Sequence, residues 1–126
     1  MEYSFSSLAE FALLRDELRS YLRSLCPAMA ERLFVALNEA VNNALIHGTH
    51  EDREKNVTVS VVESKGEIIM SVRHDGQGLK RRVPRCGGRT GLEEGGRGLF
   101  IISSCVDSFS YDDAGRELAM RSAIRE

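Results

Sequence analysis

No apolar run in this sequence approaches the ~18 residues of a membrane-spanning helix, and the opening Met-Glu-Tyr-Ser-Phe-Ser lacks the pattern of a signal peptide. Neither insertion nor secretion is expected; a cytosolic location is. Cysteine is scarce: Cys26, Cys86 and Cys105 make an odd number with no Cys-x-x-Cys pair, which speaks against a disulfide framework or a zinc site. Charge of one sign is lacking too. A net charge of −2 gives no bulk attraction toward nucleic acid or a membrane surface. There is no internal repeat and no low-complexity segment. Two common phosphate-binding signatures are missing: Gly-x-x-x-x-Gly-Lys-Ser/Thr, and Gly-x-Gly-x-x-Gly behind a strand. What remains is ordinary. With 42% apolar and 29% charged residues, 126 residues suffice for one core, so a single domain spanning 1–126 is expected.

The chain divides by its periodicities. Residues 3–7 suit a short strand with Tyr3 and Phe5 on one face. Ser6 or Ser7 can cap the helix that follows, and Glu10 stands three residues after Ser7, as a capping box requires. Leu8, Phe11, Leu14, Leu18, Tyr21, Leu22 and Leu25 hold helical spacing until Cys26-Pro27 ends it. Pro27 suits the first turn of a second helix, which covers 31–48 and stops at Gly48. A polar loop fills 49–56. Val57, Val59 and Val61 alternate with polar residues as in a strand, Glu63–Gly66 reads as a turn, and Ile68–Val72 returns as the second arm of a hairpin. After the irregular 73–95 stretch, an apolar helix opens at the glycines near 95–98. Ser108–Tyr111 and Leu118–Ile124 then close the chain as strands about an Asp112–Gly115 turn. The order β, α, α, β, β, irregular, α, β, β lacks βαβ alternation. It predicts an α+β two-layer sandwich, with a mixed, mostly antiparallel sheet covered by helices on one face.

Three features carry potential chemistry. On the second helix, Glu39, Asn43 and His47 recur every four residues, and each step of four turns only ~40°. They form one stripe beside the apolar face rather than opposite it, at the lip of a crevice. A carboxylate and an amide one turn apart can activate a hydroxyl and hold a cation; the same stripe is equally a solvated helix flank. The long aperiodic segment, about 79–95, mixes Lys80, Arg81, Arg82, Arg85 and Arg89 with glycines, as in a mobile lid over phosphates or a plain surface loop. Behind it, Gly96-Arg97-Gly98-Leu99 opens a helix. Backbone amides at a helix N-terminus attract anions, and glycine allows close approach.

Taken in order, Glu39-x-x-x-Asn43, Gly76-x-Gly78 and Gly96-Arg97-Gly98-Leu99 resemble the motifs of the GHKL ATPase superfamily, which includes gyrase and the sensor histidine kinases. "LNEAVNNALIHG" is similar to the N box, and "GGRGLFIISSCVDSFSYDDAGRELAMR" to the last glycine box, helix and terminal hairpin, of the small stand-alone anti-sigma-factor serine kinases of bacteria. The likeness covers nearly the whole chain. It implies an α/β sandwich that binds ATP under the lid. Asn43 would ligand a phosphate-bridging Mg²⁺, Glu39 would be general base on an attacking serine hydroxyl, and Gly96, Arg97, Gly98 and Leu99 would form the phosphate end. The implied partners are a sigma factor, which the protein would hold, and an antagonist protein, which it would phosphorylate; a homodimer is also implied. Direct nucleic-acid or membrane contact is not.

The middle motif departs from the family pattern Asp-x-Gly-x-Gly, whose Asp accepts the adenine amino group. Aligned on Gly76 and Gly78, this chain has His74 at that place and Asp75 one residue late. Neutral His74 can accept through one ring nitrogen. A bulge can turn Asp75 inward. Or the base contact is lost. The alternatives to a serine kinase are thus a partner-binding module without kinase activity, gated by nucleotide or independent of it, and a histidine-kinase catalytic domain acting on a separate phosphoacceptor.

Overall fold

In a computed structural model of the chain, residues 1–48, 55–75 and 96–124 are described, with backbone only at 47, 48, 96 and 97. Strand β1 (Glu2–Phe5) leads into helix α1 (Leu8–Leu25). Helix α2 (Ala30–Asn43) continues as a π-helical turn over Ala44–Gly48. The hairpin β2 (Val57–Ser64) and β3 (Glu67–His74) precedes α3 (Gly96–Cys105) and a second hairpin, β4 (Ser108–Tyr111) and β5 (Glu117–Ala123). The stretch 79–95 expected to be a lid lies outside the described residues, as do Gly76 and Gly78.

Five strands form one sheet in the order β1-β2-β3-β5-β4. All four ladders are antiparallel. The second hairpin enters beside the first with β5 inside and β4 at the edge, so β3 is the central strand and β5 lies next to it. Alternation decides which face is covered. Val57, Val59 and Val61 of β2, Ile68, Met70, Val72 and His74 of β3, and Leu118, Met120 and Ser122 of β5 are buried. Register aligns them: Val59 faces Val72, Val72 faces Leu118, and Met70 faces both Val61 and Met120. The buried row belongs to one face, and the helices lie on it. Helix α2 is the middle one, packed on α1, α3 and β3 through its apolar face. Among the described residues, no helix is long and apolar enough to cross a membrane.

Local chemistry sets the element ends. Ser7 is the N-cap of α1: its Oγ accepts from the Glu10 N–H at 3.1 Å, while Glu10 Oε1 accepts from the Ser6 N–H at 2.6 Å. A capping box is thus made with the carboxylate one residue earlier than the usual reciprocal contact. Pro27 does not open α2 as expected. Residues 27–29 form a turn closed by Met29 N–H to the Cys26 carbonyl at 3.1 Å, and α2 starts at Ala30 without a side-chain cap. Buried Met29 and Ala30 anchor that end by packing instead. The β2–β3 hairpin turns on Lys65 (φ 55°) and Gly66 (φ 79°). Two positive φ values match the tight turn that suits right-twisted strands.

The largest difference from the expected elements is the end of α2. A uniform helix was expected to Gly48, but the last turn, Ala44–Gly48, is wider. Such π turns are rare, occur mostly as single turns within α-helices and are frequent at functional sites. The four-residue period linking Glu39 to Asn43 therefore does not extend to His47.

Candidate functional site

The α2–sheet interface opens into a cleft. It lies between Ala40, Asn43 and Ala44 of α2 and its π turn on one side and Val72, His74, Tyr111, Arg116 and Leu118 on the other. Alanine at 40 and 44, both buried, keeps the helix side thin where a larger side chain would fill the space. Val72 and Leu118 face each other across β3 and β5 and supply an apolar floor. Tyr111 ends β4; burial pushes its hydroxyl up to about 12, so it stays a neutral phenol. The Asp112–Gly115 turn fixes the rim. Asp112 Oδ1 accepts from the Arg116 and Glu117 N–H groups at 2.8 and 3.1 Å, and Gly115, at φ 72°, takes a backbone shape that strains other residues. The Arg116 carbonyl in turn accepts the His74 N–H at 3.0 Å, tying the turn to the end of β3.

His74 and Asp75 leave β3 on opposite sides. His74 is 5% exposed and sits in the buried row, and its Nδ1 has no hydrogen-bond partner. Asp75 is exposed; its N–H donates to the Asn56 carbonyl at 3.0 Å, and its Oδ2 accepts from the Asn56 N–H at 3.3 Å. No bulge turns the Asp75 carboxylate inward. The residue at the cleft is the imidazole. Burial, first, holds its pKa below 6.5; Arg116 adds to that, while the Gly115 backbone, Asp112 and Asp75 oppose it. The ring is therefore neutral at neutral pH.

The other end of the cleft is where α2 meets α3. Asn43, half-buried, is the last residue of α2. Gly98, buried in the first turn of α3, lies against it: a Cβ at Gly98 would stand 2.8 Å from Asn43 Nδ2 and 3.1 Å from Oδ1. Gly96 and Arg97 form the start of α3, and Leu99 is buried in the core. Glu39 lies one turn before Asn43, half-buried, and shares its neighbourhood with Arg32 and Cys105 on the α2–α3 seam; it is not among the residues that line the cleft.

These residues fit a nucleotide. The apolar floor suits a flat base, the unpartnered Nδ1 is a buried polar atom beside it, and the start of α3, against Asn43, carries the backbone amides with which a helix N-terminus favours an anion. They fit Mg²⁺ only jointly with phosphate. Among the described residues no group of three His, Cys, Asp or Glu side chains could hold a metal, whereas the Asn43 amide oxygen is a suitable single hard ligand. Tyr111, Arg116, Ala40 and Ala44 were not singled out by the sequence reading. The alanines did carry a signal, two small residues four apart next to Asn43. Tyr111 and Arg116 read only as strand and turn.

Comparison with known proteins agrees with this architecture. Residues 6–122 match the histidine kinase-like ATPase domain. The chain belongs to the histidine kinase-like ATPase family. Within that family it is similar to the anti-sigma F factor of Oceanobacillus iheyensis, with 32% identity over 86% of this chain and 79% of the relative. It is similar also to the anti-sigma F factor of Bacillus subtilis, with 31% identity over 90% and 83%, and to that of Geobacillus kaustophilus, with 30% over 85% and 78%. The α+β sandwich expected from the element order is the fold of this ATPase family member.

Proposed function

We propose that this protein is a bacterial anti-sigma regulatory factor that binds ATP in the α2–sheet cleft and acts in the cytoplasm as a serine kinase on an antagonist protein. The observation that carries the reading is the family match over residues 6–122 together with relatives, each named anti-sigma F factor, at about 30% identity over most of both chains. The cleft geometry supports it. The base would lie on Val72 and Leu118, the phosphates would run toward the start of α3, and Asn43 would hold Mg²⁺ against them. Bound ATP supplies the phosphoryl group, and Mg²⁺ offsets its charge. Glu39 takes the proton from the antagonist's serine hydroxyl as that oxygen bonds to the γ-phosphorus and ADP leaves. Phosphoryl transfer depends mostly on such positioning. Partner choice follows: a sigma factor is held in one state of the cycle and the antagonist is modified in another, with a homodimer as the working unit.

A second reading keeps partner binding and drops transfer. It is favoured by the position of Glu39, whose charge acts on the Cys105 thiol of α3 and whose side chain is not among those lining the cleft. One assay separates the two. With radiolabelled ATP and the cognate antagonist, the wild-type chain is expected to label serine and Glu39→Ala to lose about a hundredfold or more of the rate, as for loss of a general base. Undiminished labelling by Glu39→Ala would remove Glu39 from the chemistry; nucleotide binding without labelling by the wild type would leave a regulatory binder.

A further inference from the structure

The floor of the cleft does not end at its apolar pair. Val72 of β3 lies opposite Leu118 of β5, and two residues further out the same ladder is continued by the His74 N–H, which donates to the Arg116 carbonyl at 3.0 Å. Side chains two residues apart on a strand share a face, about 7 Å from each other. Arg116 therefore stands on the face of Leu118, one step nearer the rim, as His74 stands beyond Val72. The two differ in exposure: His74 is buried and Arg116 is exposed. The Arg116 backbone is held on both sides. Its N–H donates to Asp112 Oδ1 at 2.8 Å, and its carbonyl takes the His74 bond. The side chain is left to be ordered by a ligand. It lines the cleft, and its charge reaches the His74 ring. The other polar side chains of the lining are neutral. The Asn43 amide lies at the α3 end against Gly98, Tyr111 is a buried phenol, and His74 is held below its ordinary pKa. Among the described residues that line the cleft, Arg116 carries the one permanent charge.

We propose that Arg116 is a base-clamping residue: with nucleotide bound, its guanidinium lies flat against the base that rests on Val72 and Leu118. The inference rests on the nucleotide-binding reading above. It adds a contact made to the face of the ring system rather than to its substituents. A guanidinium is planar and weakly hydrated, and it stacks on aromatic faces through the attraction of a cation to a π system. Every base offers such a face, whatever groups it carries. Phosphate is not the target, because in that reading the phosphates run to the start of α3 beside Asn43, and Arg116 stands at the other end. With the backbone already fixed by Asp112 and His74, binding orders one side chain and no loop, which keeps the entropic cost small.

The test is calorimetric titration of the full chain with Mg-ATP, Mg-inosine triphosphate and adenosine, for the wild type, Arg116→Ala and Arg116→Lys. Both substitutions keep the two backbone bonds of the residue, so the fold should be retained, as circular dichroism will check. In Arg116→Ala, affinity for ATP is expected to fall about threefold to fivefold. Inosine triphosphate should lose the same factor, because a stacked guanidinium is indifferent to the group at the six position. Adenosine, which has no phosphate, should lose it too. Arg116→Lys keeps the charge without the plane and should recover less than half of the loss. Unchanged affinity in Arg116→Ala would overturn the clamp. So would a loss confined to the triphosphates, which would mark a phosphate contact, a loss that differs between the two bases, which would mark an edge contact, or full recovery by lysine, which would leave charge alone. The two triphosphates and the lysine variant decide even where adenosine binds too weakly to titrate. Absence of heat in the wild type with either triphosphate at millimolar concentration would overturn the nucleotide reading itself, and the clamp with it.

Discussion

The two ends of the cleft are built from different materials. The base end is part of the hydrophobic core: Val72 and Leu118 are its floor and also the contact between β3 and β5. The α2–α3 end is made of a half-buried amide, Asn43, and a glycine with no side chain, Gly98. On the proposed reading, stability and recognition use the same atoms at the first end. At the second, little hydrophobic burial depends on the groups that would meet phosphate and metal. Substitutions should therefore cost both properties together at the base end and separate them at the helix end.

The largest effect is expected at Leu118. Leu118→Ala deletes a side chain that is 3% exposed and leaves a hole beside the cleft. Large-to-small core substitutions of this kind cost about 3 kcal/mol. A urea titration should show the midpoint falling with the slope unchanged, and nucleotide affinity should fall in the same variant. If stability held while affinity fell, the floor would not be core, and the contrast between the two ends would fail on its first side.

Gly98→Ala probes the other side. The added methyl would stand 2.8 Å from Asn43 Nδ2, which must move. That atom is the far end of a rotatable side chain, so the fold can absorb the change while Asn43 loses its orientation. Alanine also suits a helix better than glycine by about 1 kcal/mol. The expected outcome is a melting temperature unchanged or raised, with Mg-ATP affinity lower by about tenfold, the loss of roughly one oriented polar contact. A variant with lower stability and unaltered affinity would show that Gly98 serves packing and that Asn43 is not held by it.

The same contrast explains what could be read from the sequence. The strands, the helix over Leu8–Leu25 and the α+β layering were legible because core residues repeat with period two or with helical spacing. That Glu39 and Asn43 share one regular helix was legible from their four-residue spacing; their roles belong to the proposal. Three things were not. The wide turn at Ala44–Gly48 has no signature in hydrophobic spacing, so His47 seemed to continue the stripe. Tyr111 and Arg116 reach the cleft only because β5 pairs with β3, a contact between distant parts of the chain. And which of His74 and Asp75 faces inward depended on strand phase, which the alternating burial from Ile68 through Met70 and Val72 to His74 gives to the imidazole.

His74 also gives the smallest effect, on stability and without any ligand. Burial holds its folded pKa below the ordinary 6.5. Between the two values the unfolded chain binds a proton that the folded chain does not, so stability rises with pH there. The contribution is complete above about pH 6.5 and is lost as the pH falls toward and through the folded value. Thermal melts from about pH 7.5 to about pH 5 should show a decline that His74→Leu lacks, measured against each protein's own value at the upper pH. The carboxylates that begin to titrate near the lower limit are common to both proteins, so the difference between the two curves isolates the ring. Were the curves parallel, the imidazole would be as free to ionise in the folded chain as in the unfolded one. The base end would then be wet, and its difference from the α2–α3 end would be one of shape alone.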